Sequence, residues 1–231
     1  MCATTTKLEA AHRQLVTAIR MYLADGDAVS VHTLACAVRE IYEKHCANLQ
    51  LDRLFDYIEA EHPERKAKDL WHVLNGARNF FKHPGESLDE AVELRDADNK
   101  HTLFIACHDC AVLCHEDQPA EVQAFNLWFI ATEFPHCMEG EQADVANEVI
   151  SRLDAKFPGL RTAPLAEQKL LGLPSVTGRL WNAVESSATS PPPRLLFGTS
   201  TACTICNSPS TIEARNWPKS RRRSRSACQM P

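Results

Sequence analysis

Apolar residues recur every three or four positions through most of the first two thirds of the chain. That spacing puts side chains on one face of an α-helix. Leu8, Ala11, Leu15, Ile19 and Tyr22 form the first such face. Thr6 and Glu9 frame its start as a capping box, and Asp25-Gly26-Asp27 closes it. A second helix is predicted from near Ser30, with Val31, Leu34, Val38, Ile41 and Tyr42 inward, ending around Cys46-Ala47-Asn48. A shorter third carries Leu51, Leu54, Phe55 and Ile58 before His62-Pro63. The fourth, from about Glu64 to His83, presents Ala67, Leu70, Trp71, Leu74, Ala77 and Phe81. After a polar loop from Gly85 to Asn99, a fifth is expected over about Lys100–Glu116, burying Leu103, Cys107, Cys110 and Cys114. Pro119 opens a sixth with Val122, Phe125, Trp128 and Phe129. The seventh, about Glu141 to Phe157, shows Val145, Val149, Leu153 and Phe157. No stretch alternates at period two. The expected fold class is all-α, a helical bundle with short connections.

Beyond Pro158 the pattern breaks. Residues 158–174 are punctuated by Pro and Gly and read as a linker with one short helix near Leu165–Leu171. Residues 175–231 hold ten Ser, six Thr and six Pro among 57 residues, too little apolar surface to offset the entropy of ordering them. The expectation is a helical domain over 1–157 that folds by itself, the linker 158–174, and a disordered basic tail over 175–231.

Charge sharpens that division. The tail carries eight Lys/Arg against two acids, ending in Arg221-Arg222-Arg223-Ser224-Arg225; residues 1–174 carry 17 against 28. A changed reading frame near the end of the gene would produce the same abrupt shift. An acidic body argues against broad, unspecific nucleic-acid binding but leaves room for a local basic site. Met1–Lys7 leads into the first helix without the apolar block of a signal peptide, and no apolar run is long enough to span a bilayer. The ten Cys are therefore expected as reduced thiols in a cytoplasmic protein with no membrane attachment.

The thiols raise the question of metal. Cys107, Cys110 and Cys114, with His108 and His115, lie in one stretch. Cys107 and Cys114 are seven apart, about 10 Å along a helix, whereas sulfurs sharing one zinc lie within about 4 Å. One straight helix cannot supply all three, so they are expected as small core residues, and His12 as a core or cleft-lining side chain. Elemental analysis would expose the competing reading, a helical metal-binding protein. Cys203-Thr204-Ile205-Cys206 is a single CxxC without a second pair.

The stretch with the most chemistry is Arg78-Asn79-Phe80-Phe81-Lys82-His83, followed by Pro84-Gly85. Proline stops the helix there. Asn79 and His83, four apart, share a face, and the long Arg78 stem can bring its guanidinium beside them. A cation, an amide and a group that titrates near neutral pH suit work on a phosphate. The bland reading is a helix ending, with His83 at the C-terminus and Phe80 and Phe81 filling core.

A small helical bundle bearing Arg78-Asn79-x-x-x-His83 within Leu74–His83 resembles the HEPN superfamily over about residues 5–135. That resemblance implies a metal-independent endoribonuclease, a toxin or phage-defence component, with Arg78, Asn79 and His83 as catalytic residues and no cofactor. It also implies a homodimer in which two motifs share one cleft, RNA as the partner, and an antitoxin protein as a further one. One His per chain gives both an acid and a base only if two chains meet. The alternative within the same resemblance is a non-enzymatic module that binds a nucleotide or a protein.

Overall fold

The computed structural model describes residues 4–83, 89–133 and 143–176. Within them the chain is all-α, with no strand. The helices are α1 (Lys7–Leu23), α2 (Ala28–Leu49), α3 (Leu54–Glu61), α4 (Ala67–Lys82), α5 (Asp96–Cys114), α6 (Ala120–Glu133), α7 (Ala143–Lys156) and α8 (Leu165–Val176). Single 3-10 turns stand at His115–Asp117 and Leu160–Thr162.

The predicted capping box is formed: the Glu9 amide donates to Thr6 Oγ1 at 3.2 Å, and the Thr6 amide donates to Glu9 Oε2 at 2.9 Å. Asp27 caps α2 through the Ser30 amide at 2.7 Å. α5 is the axis of the bundle, buried without a break from Asn99 to Cys110. α1 and α2 pack against it and against each other, α3 and α6 also contact it, and α4 docks on α2. Phe104 of α5 stacks on Phe129 of α6 with ring centroids 3.9 Å apart.

α5 begins a turn earlier than its apolar pattern suggests, because its first turn is polar with partners in place. Asp96 and Asp98 sit where the helix dipole favours anions. The buried Asn99 amide donates to the Ala28 carbonyl at 2.9 Å, and its oxygen lies 3.0 Å from His32 Nδ1.

The expected linker 158–174 is instead part of the packed body. α8 lies on α6 and α1. The indole of Trp128 donates to the Gln168 carbonyl at 2.8 Å. Lys169 is buried, pairs with Asp25 and Asp96, and holds its ammonium 4.4 Å from the centre of the Tyr22 ring. The glycines that signalled a linker serve packing. Gly159 turns the chain at φ +80°, and Gly172 lets the helix approach Trp128 closely. A unit ending at residue 157 would therefore lack one wall of its core. The tail expected over 175–231 lies, beyond Val176, outside the described residues, as do Pro84 and residues 85–88 of the expected loop. No helix among the described residues is long and apolar enough to cross a membrane.

Candidate functional site at the end of α4

The site is set by how α4 seats on α2. The two run antiparallel and are joined by a fully buried arginine. Arg39 donates to Asn75 Oδ1 and to the Leu74 carbonyl, and its guanidinium lies 5.8 Å from the centre of the Trp71 ring. Asn75 in turn donates to the Trp71 carbonyl at 2.8 Å. These bonds fix the register of α4. Three residues beyond Asn75, one turn on, Arg78 meets Glu40, the neighbour of Arg39, in an ion pair. A further turn brings Phe81 edge-on to His32, with ring centroids 6.0 Å apart.

Arg78 Nη1 also donates to Asn79 Oδ1 at 3.2 Å, so two of the three motif side chains touch. His83 closes the helix: its backbone amide donates to the Asn79 carbonyl at 3.1 Å, and its own backbone is extended (φ −116°, ψ 129°). The proline that follows accounts for that extension. The His83 side chain is exposed, as is Asn79. At the end of α4 the side chains of Arg78 and Asn79 touch, and His83 is joined to the pair through its backbone.

No family model matches the chain, and neither does any curated protein or solved structure. The likeness to HEPN proteins therefore rests on the motif and the all-α architecture alone.

Glu40 is the participant that sequence reasoning missed. The Arg78 side chain is 15 % exposed and Glu40 is 46 % exposed, so the carboxylate sits on the solvent side of the guanidinium. It occupies the fork that a phosphate would take. A half-exposed ion pair contributes about 0–1 kcal/mol, while a hydrogen bond to a fully charged group contributes about 1.5–3 kcal/mol.

A second histidine lies beneath the rim. His32 is buried, bonded to Asn99, and 3.4 Å through Nε2 from Cys36 Sγ; burial holds its pKa below the usual range. It stands as a neutral core group under Phe81, away from any substrate at the surface. Cys36, Cys46, Cys107 and Cys110 are free and buried, whereas Cys114, expected in the core with Cys107 and Cys110, is only half-buried because α5 ends there. Burial raises each of them, Cys46 and Cys110 to about 12.

Proposed function

We propose that the chain is a metal-independent endoribonuclease of the HEPN type, a toxin or defence component that works as a homodimer. The observation that carries this reading is the contact between Arg78 and Asn79 on an exposed helix end, one turn before the exposed His83. In the reaction, the 2′-hydroxyl attacks the adjacent phosphorus and the bond to the 5′-oxygen breaks. His83 of one copy takes the 2′-proton as base, and His83 of the second copy gives a proton to the departing 5′-oxygen. Arg78, released from Glu40, holds the non-bridging oxygens in the charged transition state, and Asn79 orients its guanidinium. The nucleophile comes from the RNA itself, so the step calls for no metal.

The test is cleavage of single-stranded RNA in EDTA by purified protein. The expected products carry a 2′,3′-cyclic phosphate and a 5′-hydroxyl, DNA stays intact, and His83→Ala loses about 10²–10⁴-fold in rate. A His83→Ala variant as fast as the parent would sink the mechanism. Light scattering that shows a monomer at tens of micromolar would remove the second histidine and sink it too.

The Glu40–Arg78 pair favours a second reading, a non-enzymatic nucleotide- or protein-binding module in which Arg78 ties α4 to α2. Under it, His83→Ala changes nothing, and Arg78→Ala costs stability without touching any RNA cleavage.

A further inference from the structure

Far along the chain from the α4 motif, the fold assembles a cluster that no linear reading displays. Cys110 and Cys114, four apart, lie on one face of the last turns of α5. α1, packed against α5, brings His12 to the same place from 102 positions away, with Nε2 3.3 Å from Cys114 Sγ. The two sulfurs and an imidazole nitrogen lie within 4.8 Å of one another. Cys107 stays outside the group, as the seven-residue spacing requires, so the argument against three ligands from one helix stands. It is the third helix-borne ligand from elsewhere that changes the conclusion.

We infer that His12, Cys110 and Cys114 form a zinc site that ties α1 to the end of α5. Around a tetrahedral zinc, bonds of about 2.3 Å to sulfur and about 2.0–2.1 Å to nitrogen put the ligand atoms roughly 3.5–3.8 Å apart. The observed group, with all its ligand atoms within 4.8 Å of one another, is within about 1 Å of that geometry. The donors are the types that select a soft ion over magnesium or calcium. Access is suitable as well: Cys110 is buried, while His12 and Cys114 are half-buried, which leaves one side open for an ion to enter and for water as fourth ligand.

The wall of the site adds a second observation. The Tyr42 hydroxyl is buried beside the Cys110 thiol without a well-formed hydrogen bond, and its ring packs 5.8 Å from that of His12. Coordination would turn the neutral Cys110 thiol into a thiolate, a stronger acceptor for that phenol. Tyr42 and Glu40 are two positions apart on α2, roughly 200° around the helix, so this cluster and the Arg78 rim lie on different sides of it. The zinc site and the nuclease reading therefore stand or fall separately.

The test is a titration of the full chain, stripped of metal and kept reduced, with Co²⁺ and then Zn²⁺. One Co²⁺ per chain should bind with thiolate-to-cobalt charge-transfer absorption in the near ultraviolet, and Zn²⁺ should displace it. Cys203→Ser with Cys206→Ser should bind like the parent. Cys114→Ser and His12→Gln should each weaken zinc binding about tenfold or more, while their metal-free melts stay close to the parent's. On the unmodified chain, zinc should protect Cys114 from alkylation and leave Cys203 and Cys206 reactive, a readout that does not depend on how any variant folds. The inference is overturned if Zn²⁺ fails to bind at micromolar concentration, if binding follows Cys203 and Cys206, or if Cys114 alkylates equally with and without zinc.

Discussion

Replacing Gly172 by alanine sets two well-known effects against each other. Alanine is about 1 kcal/mol better than glycine inside a helix, so propensity alone predicts a more stable protein. The structure predicts the reverse. A Cβ at Gly172 would stand 2.6 Å from Trp128 Cδ1, 2.8 Å from its Nε1 and 3.2 Å from Leu23 Cδ2. Carbon contacts are comfortable at about 3.5–4.0 Å, so the overlap with the ring is near 1 Å. Trp128 cannot swing aside: it is 2 % exposed, edge-on to Tyr22 at 6.0 Å and tilted against Phe125 at 5.4 Å. α8 has to retreat, which stretches the 2.8 Å bond from the indole to Gln168. Overpacking costs about 1–3 kcal/mol and a buried donor left unpaired about 1–3 more. Against the gain of about 1, the net loss is about 1–5 kcal/mol, or roughly 2–4 °C of melting temperature for each kcal/mol in a domain this size. Urea and thermal melts followed by tryptophan fluorescence measure it. Leu170→Ala, at a position 65 % exposed on the same helix, is the control and should stay within about 0.5 kcal/mol. A Gly172→Ala protein as stable as the parent, or more so, would refute the close docking of α8.

Three further outcomes follow. Truncation after Gly159 should cost cooperative melting, since it uncovers Trp128 and Tyr22; a sharp, parent-like transition would show that α8 is dispensable. Glu43, buried beside Arg39 with its carboxyl pushed up to about 7, binds a proton in the folded state that the unfolded chain has already released. Its folded pKa exceeds the unfolded value, so it costs the fold progressively more as pH rises from about 4.5 to 7, on the order of 3 kcal/mol in all. Glu43→Gln should gain stability relative to the parent between pH 5 and pH 8 in urea midpoints, and a constant difference would contradict the shift. Glu40→Ala should lower KM for RNA up to about fivefold at unchanged kcat, because about 1 kcal/mol of competing ion pair is gone; a raised KM would mean that Glu40 instead orients Arg78.

Legibility in the sequence followed how local the cause was. The α1 capping box and the stop before Pro84 involve neighbours in sequence, and both could be read directly. α2 was read only on its apolar side. Its other buried stripe, His32, Cys36, Arg39 and Glu43, also recurs at three- and four-residue spacing, but with polar residues whose partners on α4 and α5 are invisible to periodicity. That stripe was the available clue to a helix buried on two sides, and Glu40 beside it then completes the α4 rim. α5 shows the opposite limit: enclosed all round, it has no polar face for a moment to detect. The segment after Pro158 failed for a different reason. Glycine marks flexibility and close approach with the same letter, and only Trp128 on the far side tells them apart.

The bond from Lys169 to Asp25 spans 144 positions, so the turn between α1 and α2 waits for α8 to be made. Contacts of such long sequence separation close slowly, because the intervening chain must first be ordered. During synthesis α1 through α7 emerge with Tyr22, Leu23 and Trp128 facing an empty groove, an apolar surface of the kind that recruits chaperones or a second unfinished chain. α8 acts as the bolt of this assembly. Once it slides home, the same three side chains pass from a liability during biogenesis to positions no more than 2 % exposed.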